Sequence, residues 1–200
     1  MAVSETIVRE FFELHGFFVR QNRKHIAPKR EDDEVDFYVH NPSGPTDGEE
    51  VPFVLEAATD LAHLTRAVVV VKAWHTEVFT QAVLAHAPEI FRFAGPETFA
   101  RATEAFGGPG PLTKILVVPA LPASGEARQQ SVDLLESKGI DAVIPFRTML
   151  SDLIEHIEVN RNYQKSDLLQ VIRILKNYDL FAPPQLELFD SPNLKRKPKG

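Results

Sequence analysis

The chain has 200 residues, 44% of them hydrophobic and 25% charged, with a formal net charge of −6 and no cysteine. That length suits one domain with a sizeable core, or one domain and an appendage. The lack of cysteine excludes a disulfide framework, a thiolate zinc site and a cysteine nucleophile, and the net acidity argues against a broadly basic DNA-coating surface. The apolar runs are too short to cross a bilayer and the N-terminal segment has no signal-peptide pattern, so a cytoplasmic protein is expected.

In chain order, Ser4 is expected to cap a first helix with Glu5 in its first turn. Ile7, Val8, Phe11, Phe12 and Leu14 give its apolar stripe, and Gly16 closes it. Phe17 to Arg20 reads as a short strand, and the polar residues 21–33 as a connection. Glu34 to His40 is expected as a second strand, with Asp36 near its start. Asn41 to Gly48 has turn chemistry, Val51 to Leu55 an irregular strand pattern, and Thr59 to Leu64 that of a helical turn.

Val68 to Val71, four consecutive valines, fits a central strand buried on both faces. It ends in Lys72, Ala73, Trp74 and His75. An ammonium at the exit of a buried strand must snorkel to solvent, pair with a carboxylate or sit in a polar site, because desolvating it alone is costly. Thr76 is expected to cap a helix running to Ala87, where Pro88 marks the end, and Glu97 to Phe106 forms a short helix. Lys114 to Val118, Glu126 to Ser137 and Asp141 to Ile144 make a strand–helix–strand unit, expected to be parallel and right-handed. Arg147 to Glu158 and Ser166 to Tyr178 read as helices, the second capped by Ser166 with Leu168, Leu169, Ile172 and Leu175 on one face.

This order predicts an α/β fold, a mixed central sheet flanked by helices with a C-terminal helical extension. The expected domains are residues 1–146 as the α/β domain, 147–181 as helices packed on it, and 182–200 as a flexible tail. Charge is uneven along the chain. Arg20, Arg23, Lys24, Lys29 and Arg30 precede the acidic run Glu31 to Glu34, and Lys195, Arg196, Lys197 and Lys199 follow at the end. Such runs serve as solvated loops or as contact surfaces.

A helix bearing Glu5, a strand after Gly16, the Asp36 strand and the strand ending Val70-Val71-Lys72 together resemble the PD-(D/E)xK restriction-endonuclease-like superfamily. Its Holliday-junction-resolvase and Mrr-type branches are the most similar. The resemblance implies a restriction-endonuclease-like fold and a Mg²⁺- or Mn²⁺-dependent DNA endonuclease. In such a site two carboxylates hold the metal, which activates water and stabilises charge on the phosphate. By resemblance Asp36 is the metal carboxylate, Lys72 the lysine and Glu5 a supporting acid. Relatives of this kind are often homodimers.

The chain departs from the pattern at Val70, where the second acid should stand. Two readings follow. The acid has moved to the segment after the lysine strand, where Glu77 (or, further on, Glu89) would serve as the second metal ligand; or the site is degenerate and the fold is kept for binding or scaffolding. His75 reads either as a proton carrier or phosphate contact, or as a histidine bonded to backbone. Trp74 reads as core or rim, or as a base-stacking residue. The Gly107 to Gly110 stretch lacks a following Lys-Ser/Thr and reads as a loop.

Beyond Pro183-Pro184 lies Gln185-Leu186-Glu187-Leu188-Phe189. It resembles the Gln-Leu-x-Leu-Phe peptide by which bacterial replication and repair proteins dock on the DNA polymerase sliding clamp. Leu188 and Phe189 would enter an apolar pocket, Gln185 would make directional hydrogen bonds and Leu186 would add contact area. The alternative is an edge strand folded back on its own domain. Together these features lead to the expectation of a DNA-maintenance protein with a nuclease-like domain, tethered to the clamp. A non-catalytic adaptor for a protein partner, or an α/β protein unrelated to DNA, is the other reading.

Overall fold

The structure, a computed structural model, describes residues 3–22, 35–45 and 50–181. Among the described residues, five strands form one sheet in the order β1 (Phe18–Gln21), β2 (Phe37–His40), β3 (Arg66–Val71), β4 (Thr113–Val118) and β5 (Ala142–Pro145). The first three pair antiparallel; β3, β4 and β5 pair parallel. The valine run is the middle strand, as expected, and Ala67 to Val70 are shielded from solvent. A strand with neighbours on both edges and helices on both faces has no polar side to present, hence its uninterrupted β-branched sequence.

The helices are α1 (Val3–Leu14), α2 (Gln81–Ala85), α3 (Pro96–Ala105), α4 (Gly125–Ser137), α5 (Phe146–His156) and α6 (Asp167–Asn177), with 3₁₀ turns at Ala58–His63 and Pro88–Ala94. α1 and α5 pack together, α1 against β1 and β3 and α5 against β5. In a second buried cluster Val68, Val70, Leu116 and Val118 of the sheet meet Leu84, Phe93 and Leu135. Each such aliphatic side chain contributes about 1.5 kcal/mol or more through burial. The α/β sandwich around a mixed sheet is therefore present, and the β4–α4–β5 unit is parallel. Gly139 (φ +81) ends the α4 segment in a left-handed conformation that a side chain disfavours.

Several local expectations are corrected. Ser4 lies inside α1 rather than ahead of it, and its hydroxyl bonds a histidine instead of a backbone N–H. Thr76 does not start a helix: it lies in a turn closed by the Glu77 N–H on the Trp74 carbonyl, and the Phe79 N–H then donates to the Ala120 carbonyl, just beyond β4. Helix α2 starts later, at Gln81, where the Thr80 hydroxyl accepts the Val83 N–H at 3.2 Å. Phe53 to Leu55 forms only an isolated bridge, Val54 to Val143, on the outer edge of β5. β2 is shorter than expected and begins at Phe37.

The chain divides into two compact units, Met1–Ile157 and Glu158–Gly200. The first contains the sheet and helix α5. In the second, Ser166 caps α6 as expected, accepting the Leu169 N–H at 3.4 Å. Leu169 and Ile172 are buried while Val171, Ile174 and Tyr178 are exposed. The Gln185 to Phe189 peptide and the basic and acidic runs between Arg23 and Glu34 lie outside the described residues.

Candidate functional site

Strand direction gathers several chain ends at one edge of the sheet. β1 finishes there with Gln21, β2 starts there with Phe37, and parallel β3, β4 and β5 finish there with Val71, Val118 and Pro145. Residues just beyond those ends lie at the same end of the sheet.

Asp36 sits at this edge, immediately ahead of β2. Its N–H donates to the Val69 carbonyl at 3.0 Å, and its own carbonyl accepts the Asn22 N–H at 2.8 Å. Since Phe37 is the residue paired with Val69, two residues of this segment oppose one on β3, which is the arrangement of a β-bulge. The bulge turns the carboxylate toward the end of β3, where Oδ2 accepts the Val71 N–H at 2.7 Å. A charged acceptor thus takes a strand donor that would otherwise lack its ladder partner.

Lys72 follows directly. Its N–H continues the ladder to the Val117 carbonyl at 3.0 Å, and the residue is half-buried. On the other side, Glu5 in the first turn of α1 accepts from Gln21 Nε2 at 2.8 Å. The neighbouring Ser4 Oγ lies 2.9 Å from His75 Nε2. The His75 ring meets Phe146, the first residue of α5, edge to face at 4.6 Å. Two neighbouring side chains on the first turn of α1 therefore hold Gln21 at the end of β1 and His75 beyond β3.

The structure brings Glu5, Asp36 and Lys72, distant in sequence, to this one edge. Glu77 stands in the turn that follows, exposed, with its N–H bonded to the Trp74 carbonyl at 2.8 Å. Trp74 lies at the rim, 37% exposed and edge to face with Phe79. Val70 has the alternation of Lys72 but is 1% exposed, within the apolar cluster. Among the described residues, no group of three or more His, Asp or Glu side chains is arranged to hold a metal ion. No described helix is long and apolar enough to cross a membrane.

Gln21 and Ser4 are the site residues that sequence reasoning missed. Gln21 reads as the first loop residue, yet it is the last of β1. The one available signal was that the strand could be extended by one polar position. A separate polar knot ties α1 to α5: buried Asp152 bonds His15 Nε2 through Oδ2 at 2.7 Å and faces His156 Nδ1 at 3.3 Å.

Comparison of the chain with protein-family models, with curated proteins and with solved structures returns no significant match.

Proposed function

We propose that this chain is a DNA-maintenance protein whose first unit is a restriction-endonuclease-like domain that holds DNA without cleaving it, and whose tail docks on a sliding clamp. The observation that carries the reading is the convergence of Glu5, Asp36 and Lys72 on one sheet edge. It occurs within the order of a helix, three antiparallel strands, helices and a parallel strand. Lys72 supplies a compact positive charge suited to a phosphate oxygen, and His75, exposed three residues further on with Nε2 on Ser4, has its second ring nitrogen to offer.

The same side chains fit a divalent ion poorly. The position of the second acid is Val70, packed in the core. One Asp36 oxygen is engaged by the Val71 N–H, one Glu5 oxygen by Gln21, and Glu77 stands on an exposed turn. Their engagement within the fold is the ground for reading the domain as one that binds without hydrolysis.

The tail reading rests on Gln185, Leu186, Leu188 and Phe189, each matching the clamp-binding pattern. The test is a salt series of duplex and branched DNA binding by the full chain, beside a cleavage assay in Mg²⁺ and in Mn²⁺. Binding that weakens steeply with salt and falls in Lys72→Ala, with intact DNA recovered, supports the proposal. Metal-dependent cleavage lost in Asp36→Asn would restore the endonuclease reading. Clamp binding without any DNA binding would instead favour the protein adaptor.

A further inference from the structure

The register of the antiparallel strands places a row of unusual side chains on one sheet face. Phe18 pairs with His40 and His40 with Arg66; Arg20 pairs with Tyr38 and Tyr38 with Val68. Residues directly opposite one another share a face, as do alternate residues along a strand. Phe18, Arg20, Tyr38, His40 and Arg66 therefore stand together.

Most of their contacts are aromatic or cationic, with His40 Nδ1 also 3.3 Å from the Thr65 carbonyl. The Phe18 ring stacks on His40 with centroids 6.3 Å apart and planes inclined by 26°. The Arg20 guanidinium lies 5.9 Å from the Tyr38 ring centroid. Tyr38 meets Phe106 edge to face at 5.9 Å, and Arg66 lies 5.7 Å from the Phe106 centroid while donating to the Gly108 carbonyl. Phe106 and the Gly108 loop cover the Arg66 end. The outer end is open: Phe18, on the edge strand β1, is 67% exposed, and Arg20 is exposed too. Among the described residues neither arginine is in an ion pair with a carboxylate.

We propose that this face, centred on Phe18, Arg20, Tyr38 and His40, binds single-stranded nucleic acid by stacking its bases. The inference rests on the nucleic-acid reading above and names the form of substrate. Rings on adjacent strands stand about 5 Å apart and rings two residues along a strand about 7 Å apart. Splayed bases of a single strand have free π-faces to lay on such a platform, while a duplex keeps those faces stacked on one another. Arg20 beside the rings provides donors and charge for the backbone.

The experiment measures anisotropy of a labelled oligothymidylate and of a labelled duplex with the full chain, Phe18→Ala, Arg20→Ala and Lys72→Ala. Phe18 and Arg20 are exposed, so a thermal melt should show all variants folded. The expected result is roughly a tenfold loss of single-strand affinity in Phe18→Ala, with duplex affinity kept. Arg20→Ala should weaken the single strand and flatten its salt dependence, and Lys72→Ala should weaken the duplex more than the single strand. Single-strand affinity unchanged in Phe18→Ala and Arg20→Ala, with duplex still bound, would overturn the platform alone. No binding of either nucleic acid would overturn the platform and the DNA reading together. Self-association abolished by Phe18→Ala, with oligonucleotide binding intact, would assign the face to a dimer and overturn the proposal.

Discussion

The Asp36 carboxylate accepts the Val71 backbone N–H at 2.7 Å, so the residue that most resembles a metal ligand is also part of the sheet. Its removal should therefore be felt in stability before any question of chemistry arises. Asp36→Ala is expected to cost about 1–3 kcal/mol, the penalty for leaving a partly buried donor without its acceptor. Asp36→Asn keeps an oxygen acceptor and should cost less. Urea unfolding of the two variants decides the point, and equal midpoints for Asp36→Ala and the parent chain would remove Asp36's structural role.

Val70 stands where the resemblance requires an acid, and it is packed against apolar neighbours. Val70→Glu is expected to destabilise the domain by on the order of 4 kcal/mol, because a carboxylate there is taken out of water among apolar side chains. It should not create metal-dependent cleavage. A folded Val70→Glu protein that cuts DNA in Mn²⁺ would show instead that the position opens onto the site.

Asp152 joins helix α5 to the end of α1 through His15, with His156 on its other side. The residue is 8% exposed. Asp152→Ala leaves the partly buried His15 nitrogen without its partner and is expected to cost about 1–3 kcal/mol. Asp152→Asn, able to accept from one histidine, should recover part of that loss in the same unfolding measurement.

Two glycines should respond differently to alanine. At Gly44 an added Cβ would lie 2.6 Å from the Leu64 carbonyl oxygen and 2.9 Å from Thr65 Cα, both backbone atoms. The chain must shift there, and a loss of about 1–3 kcal/mol is expected. Gly16 has φ +81 but nothing within 4 Å of the new atom. Gly16→Ala should show only the left-handed penalty, about 1 kcal/mol. Thermal melts that rank Gly16→Ala as the worse variant would contradict this packing of the turn after Asn41.

Docking of the tail is tested with the full chain and a bacterial sliding clamp. Saturable binding is expected, and Leu188→Ala with Phe189→Ala should reduce it at least tenfold, since apolar anchors dominate such contacts. Binding indifferent to both substitutions would detach the Gln185 to Phe189 peptide from the clamp.

Much of the architecture was determined by short-range signals. A valine run without polar breaks has to be a buried central strand, and it is. The strand–helix–strand pattern from Lys114 to Ile144 declares a parallel unit, because a short helical crossover allows little else. Ser166 declares the start of its helix through a bond to the Leu169 N–H three residues on. Each of these depends on chemistry within a few residues or on one period.

What only the tertiary structure decided are the partners across strands. Ser4 has the chemistry of a cap and bonds His75 instead; Thr76 has it too and yields to Thr80, because Phe79 is held by Ala120. Asp36 reaches Val71 N–H through a bulge that its own sequence does not announce. Phe18, Arg20, Tyr38 and His40 share a face only because of the register of β1 on β2. A slip of one residue would have sent half of them to the opposite side. Local sequence selects the element; the register between distant elements selects which side chains meet, and the edge and face that carry the proposed function are both products of that register.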